Sequence, residues 1–131
     1  MGIEAISRGA ELVVFVDCSW KNLRAIEGFL ERVGVRERGW TVQAYLPRDL
    51  HRLPLPKGRP YDLVFADPPF HWDRSPIEIL DAPFFLQLTH PETLVIWESP
   101  FPSPEIVSRF WRKVDERRYG RVLLRFLMRE E

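Results

Sequence analysis

Three short, largely apolar runs, each closed by an acid, constrain this chain more than any other feature. They are Leu12-Val13-Val14-Phe15-Val16 ahead of Asp17, Tyr61-Asp62-Leu63-Val64-Phe65-Ala66 ahead of Asp67, and Thr93-Leu94-Val95-Ile96-Trp97 ahead of Glu98. Runs rich in β-branched and aromatic residues, without a clean polar alternation, suit strands covered on both faces, as in parallel sheets. Open parallel sheets bind ligands at the carboxyl ends of their strands. Asp17, Asp67 and Glu98 are therefore the first residues to inspect for chemistry.

The segments between the runs read as helices and turns. Ile3, Ala5 and Ile6 before Gly9 form the last turns of a helix with a glycine stop. Ser19 is a suitable N-cap for a helix carrying Leu23, Ile26, Leu30 and Val33 at helical spacing, closed by Gly34. A strand is expected over residues 41–45, and the four prolines of residues 47–60 predict loop and turn. A helix over residues 77–88, interrupted near Pro83, leads to the strand over 93–98. After Pro100, Pro102 and Pro104, a short helix over 105–111 is expected. Runs over 114–119 and 121–128, separated by Gly120, then predict a hairpin. Strands alternating with helices, plus that hairpin, give an α/β, doubly wound architecture with a mostly parallel sheet and an antiparallel edge.

At 131 residues with no break in composition, one domain over residues 1–131 is expected. Apolar residues make up 45% and charged residues 29% of the chain, which suits a folded globular protein rather than a disordered one. No apolar stretch approaches the roughly 20 residues of a membrane span, and the first residues lack the pattern of a secretory signal. A cytoplasmic location without membrane contact is the expectation. The single cysteine, Cys18, can form no internal disulfide and no thiolate metal cluster, so no metal is expected. Net charge is zero, yet residues 109–129 hold eight basic residues against two acids. This is either a nucleic-acid face or the solvated side of a hairpin.

Asp17 ends a strand where a carboxylate can accept both vicinal hydroxyls of a ribose; its other reading is electrostatic support for the helix that Ser19 caps. Asp67-Pro68-Pro69-Phe70 is more specific, because consecutive prolines after a buried strand serve no sheet-building purpose. An exocyclic base amine is a poor nucleophile, its lone pair being delocalised into the ring. The Asp67 carboxylate and the Pro68 carbonyl could each accept one N–H bond and aim the lone pair at a methyl group. Phe70, with His71 and Trp72 extending the platform, could stack on a base taken out of its helix or loop. The plainer reading is a turn with a core phenylalanine.

The segments Gly2-Ile3-Glu4-Ala5-Ile6-Ser7-Arg8-Gly9-Ala10, Val13-Val14-Phe15-Val16-Asp17 and Tyr61-Asp62-Leu63-Val64-Phe65-Ala66-Asp67-Pro68-Pro69-Phe70 resemble the RsmD-like family of small-subunit ribosomal RNA guanine-N2 methyltransferases, as does Arg118-Tyr119-Gly120 near the end. The resemblance implies a Rossmann-like methyltransferase fold and S-adenosylmethionine as cofactor, with Asp17 on its ribose and Cys18 beside it. It also implies residues 67–70 as the catalytic loop, with Phe70, His71, Trp72 and Arg118 toward nucleic acid. Ribosomal RNA or an assembling small ribosomal subunit would be the partner. The family carries a strand and a glycine-rich cofactor loop ahead of the segment matched by residues 2–9, so the expected fold is N-terminally truncated. A late start, a split gene whose second chain supplies the strand, and a degenerate copy are the accounts of that departure. The family's acid for the adenine has no acidic counterpart at Gln43 or Leu46, and Asp49 lies further along. Two other functions stay open: a noncatalytic RNA-binding or ribosome-assembly module, and a DNA base N-methyltransferase.

Overall fold

The computed structural model describes residues 2–68 and 74–130. By its contacts the chain divides into two compact units, Met1–Leu53 and Pro54–Glu131.

In the first unit, α1 (Gly2–Ser7) ends as its sequence predicts. Gly9, at φ 104°, donates to the Ile6 carbonyl, and Ala10 donates to Ala5 at 2.9 Å. That left-handed turn is cheap only for glycine. The chain then forms β1 (Val13–Asp17), α2 (Trp20–Arg32) and β2 (Gly39–Gln43). Strands β1 and β2 pair in parallel, from Val13 opposite Gly39 to Asp17 opposite Gln43. The Ser19 hydroxyl accepts the Asn22 N–H at 3.3 Å, capping α2. Leu23 and Leu30 are fully buried on the strands, whereas Val33 stands 53% exposed beyond the helix end.

Strand β2 begins two residues earlier than expected, and two contacts account for it. A Cβ on Gly39 would lie 2.4 Å from Leu30 Cδ1, so the glycine lets α2 settle against the start of the strand. At the other end the Tyr45 N–H leaves the ladder to bond the buried Asp49 carboxylate at 2.9 Å. The proline-rich stretch that follows is loop with short 3₁₀ turns at Leu50–Arg52 and Pro56–Gly58.

The second unit is a four-stranded sheet in the order β3-β4-β6-β5, built from β3 (Tyr61–Ala66), β4 (Thr89–Pro100), β5 (Trp111–Tyr119) and β6 (Val122–Arg129). Strands β3 and β4 are parallel, and α3 (Ile77–Leu80) and α4 (Pro83–Leu88) lie between them in sequence. Pro83 opens α4 where its missing N–H costs nothing, which is why the expected interruption falls there. The β4–β6 and β6–β5 pairs are antiparallel. Alternate residues of β4 (Thr93, Val95, Trp97) and of β6 (Leu123, Arg125, Leu127) are buried, together with Leu80, Phe85 and Trp111. The Trp111 indole N–H donates to the Leu80 carbonyl at 2.8 Å and its ring lies 5.7 Å from that of Phe85. A helix end and a strand are joined there by one side chain.

The helix expected over residues 105–111 is not formed; residues 105–110 have no regular secondary structure, and Trp111 belongs to β5. Its backbone donors have other partners. The Ser108 hydroxyl accepts from the Phe110 and Trp111 N–H groups at 3.2 and 3.0 Å, and Asp81 accepts the Arg109 N–H at 3.1 Å. Side chains that capture the backbone in this way compete directly with helix formation.

Replacing Leu30 by alanine is expected to cost about 2–5 kcal/mol. Urea unfolding would measure it; a loss below about 1 kcal/mol would mean that α2 does not rest on the Leu30–Gly39 contact.

Candidate functional site

In the first unit, Asp17 closes β1 with its carboxylate committed on both oxygens. Oδ1 accepts the Ser19 N–H at 2.8 Å and Oδ2 accepts from the Asn22 amide at 3.2 Å. The electrostatic role at the start of α2 is thus present in the structure. Each carboxylate oxygen still has a second lone pair, so the group keeps acceptor capacity for a pair of hydroxyls. Cys18 follows, exposed, with its carbonyl accepting from the Gln43 amide at 3.2 Å. Asp49 serves the loop instead of facing a ligand: Arg48, the Tyr45 N–H and Arg52 surround it and draw its pKa down to about 2.

In the second unit, the register of β3 against β4 sets the geometry. Ala66 stands opposite Trp97, so Asp67, the first residue beyond β3, lies beside Glu98 of β4. The strand expected over residues 93–98 runs from Thr89 to Pro100 and carries Glu98 inside it, opposite Leu124 of β6. Both line a small pocket of about 130 Å³ that Pro68 also borders. Burial in the first place, and then the hydrogen bond and the charge of Asp67, raise the Glu98 pKa above the ordinary glutamate value. A half-buried carboxylate beside a second carboxylate is disfavoured in its ionised form.

Pro68 and Glu98 also border a larger cleft of about 540 Å³, walled by Trp97, Ile106 and Arg125. Arg125 is only 3% exposed and donates to the Ser103 carbonyl at 3.1 Å and to Glu116 at 3.4 Å. The Ser103 hydroxyl oxygen, also in the wall, is buried without a partner among the described residues. Pro69, Phe70, His71 and Trp72 lie outside the described residues.

Arg118 stands on the exposed side of the hairpin, 3.7 Å from the centre of the Phe101 ring, and bonds the Gly120 carbonyl. The basic run does not form a uniform face. Arg125 is buried, and Arg129 reaches inward to Thr89 and the Leu86 carbonyl. Arg117 pairs with Asp115, and Lys113 with Glu105 and Glu116. Arg125 was missed as a cleft residue, although its place between Leu123 and Leu127 marked an inward position. Glu98 was read as a strand-ending acid, whereas β4 continues two residues past it, and its place beside Asp67 depends on a register that no single run encodes. No group of three or more potential metal ligands occurs among the described residues, and none of the described helices is long and apolar enough to cross a membrane.

Residues 1–128 match the family described as conserved hypothetical protein 95, and the chain belongs to this RsmD-like methyltransferase family. The ribosomal RNA small subunit methyltransferase D of Buchnera aphidicola is 30% identical over 71 residues, or 54% of this chain and 35% of that protein. The aligned part thus spans about a third of the curated relative's length. Among solved structures, a conserved hypothetical protein from Streptococcus pyogenes superposes with a TM-score of 0.82 at 22% identity, covering 98% of this chain and 78% of that one. A Haemophilus influenzae protein named as a methylase gives 0.72 at 22% identity, covering 99% and 80%. The fold is the Rossmann-like methyltransferase fold, α/β with parallel strands and a C-terminal antiparallel hairpin.

The Glu98–Asp67 pair has a consequence for stability. The unfolded Glu98 ionises near 4.5, while the folded chain holds its proton to higher pH, so the folded state binds more protons and stability falls as pH rises between those values. Glu98→Gln removes that loss. At neutral pH its Tm is expected to equal or exceed that of the unaltered protein, with the advantage fading as pH falls below about 4.5. A clearly lower Tm for the variant at neutral pH would show that the Glu98 charge stabilises the fold.

Proposed function

We propose that this chain is the part of an S-adenosylmethionine-dependent methyltransferase that presents an exocyclic base amine for methylation, with guanine N2 of small-subunit ribosomal RNA as the target. The observation that carries the reading is the position of Asp67-Pro68 directly after β3, where Pro68 borders the cleft of about 540 Å³, a volume in the range of small-molecule sites. Membership in an RsmD-like family and the name of the Buchnera relative support the choice of ribosomal RNA. Action on ribosomal RNA or on the assembling subunit implies a cytoplasmic enzyme.

The chemistry of the chain's own residues follows from the strand ends. The Asp67 carboxylate accepts one N–H of the amine and the Pro68 carbonyl the other, localising the nitrogen lone pair and setting its direction. Pro68 and Pro69 stiffen this loop, and Phe70, with His71 and Trp72, supplies stacking surface for the base. Asp17 receives the ribose hydroxyls of the cofactor on its remaining lone pairs, with Cys18 alongside. S-adenosylmethionine, when bound, supplies an electrophilic methyl on a sulfonium. Arg118, exposed on the hairpin, contacts the RNA backbone.

A second chain that contributes a strand is part of the same proposal. Strand β1 pairs only with β2, and β3 only with β4, so each keeps one edge without a strand partner among the described residues. Their sequences suit covered strands, yet no β1 residue is buried and Leu63 of β3 is 48% exposed. If a second copy covers these edges, light scattering will show an oligomer at micromolar concentration, whereas a strict monomer removes self-association as the source.

Calorimetric titration of S-adenosylmethionine into the chain, followed by methyl transfer to ribosomal RNA and mass analysis of the nucleosides, tests the function. Asp67→Ala is expected to lower transfer by about a hundredfold or more while leaving the unfolding transition in place. An active Asp67→Ala variant would remove Asp67 from the mechanism. Methylated adenine or cytosine in DNA would replace the target, and salt-sensitive RNA binding that is indifferent to cofactor would favour the noncatalytic module.

A further inference from the structure

We infer that Glu98 is a specificity-determining residue, which accepts the guanine N1–H beside the amine that Asp67 holds and so selects guanine over purines that lack this donor. The inference rests on the proposed reaction at the Asp67 loop. Its geometric basis is the β3–β4 register: Ala66 opposite Trp97 sets Glu98 next to Asp67, and both border the same pocket with Pro68. Guanine carries N1–H and N2–H as adjacent donors on one edge, so two neighbouring carboxylates can each receive one of them.

The cleft beyond Glu98 has the composition a base would meet. Trp97, Ile106 and the prolines supply apolar wall, while the buried Arg125 and the unpartnered Ser103 hydroxyl supply polar points deeper in. Without a base, burial in the first place and then the neighbouring Asp67 disfavour the ionised form of Glu98. With guanine bound, each carboxylate has a donor of its own. Adenine presents an acceptor at N1, and 2-aminopurine keeps the amine but likewise has an acceptor there. Either base would set a lone pair against the ionised Glu98, which a carboxylate site rejects.

The test is binding of guanosine monophosphate and of 2-aminopurine riboside monophosphate to the full chain, followed by ligand-observed NMR at mildly alkaline pH. The unaltered protein should favour the guanine nucleotide by about tenfold. In Glu98→Gln, whose amide can turn either a donor or an acceptor to N1, that preference should shrink to about twofold or less. Glu98→Asp, which keeps the carboxylate, should retain the preference at reduced affinity and guards against loss of fold in the amide variant. Equal binding of the two nucleotides by the unaltered protein, or an undiminished preference in Glu98→Gln, would overturn the role of Glu98 while leaving the methyltransferase reading intact. Failure of the folded chain to bind either nucleotide would overturn both.

Discussion

Strand β4 is hydrogen-bonded along both edges, parallel to β3 on one side and antiparallel to β6 on the other, and the C-terminal unit depends on that double engagement. A strand paired on both edges cannot slip without breaking two ladders at once, and a one-residue slip would turn Val95 and Trp97 out of the core. The side chains reinforce the register. The Thr93 hydroxyl, fully buried, donates to the Tyr61 carbonyl at 2.6 Å and accepts the His90 N–H at 2.9 Å, tying the start of β3 to β4. Burial at the same place pushes the Tyr61 hydroxyl pKa up to about 12. The position of Asp67 beside Glu98 is a consequence of these constraints at the far end of the same pair.

Much of this arrangement was legible in the chain itself, and the reasons differ by element. Strand β3 matches its expected bounds because Pro60 and Asp67-Pro68 punctuate an uninterrupted run on both sides. The Pro83 break between α3 and α4 and the Gly120 turn, at φ 59°, are equally local signals. Strand β2 was displaced by two residues because its limits come from outside its own run, from Leu30 packing on Gly39 and from Asp49 taking the Tyr45 N–H. The expected helix over 105–111 failed for a similar reason. Its competitor, Asp81, lies 28 residues away from Arg109. Asp17 at the end of β1 and Asp67 just beyond β3 could be read from their runs, but pairing with β6 carries β4 past Glu98 to Pro100, and which acids become neighbours is a property of the sheet.

The basic C-terminal run shows why charge counts mislead. Of the residues that make it basic, Arg125 and Arg129 are used as internal ties, one to the Ser103 carbonyl and the other to the end of α4 and Thr89. Guanidinium suits this work because its donors fan out in a plane and satisfy several carbonyls at once. Part of the charge expected on the surface is therefore spent on joining the hairpin to the segments that border it.

The cap at the start of α2 bears on more than helix stability. Because the Ser19 N–H and the Asn22 amide each donate to one oxygen of Asp17, formation of the helix start restrains its side chain. A free aspartate on a strand end would lose that torsional freedom only on meeting a ligand, and the ordering would be subtracted from affinity. Here the ordering is incurred during folding, so the Asp17 carboxylate is already oriented at the end of β1 before it meets any ligand.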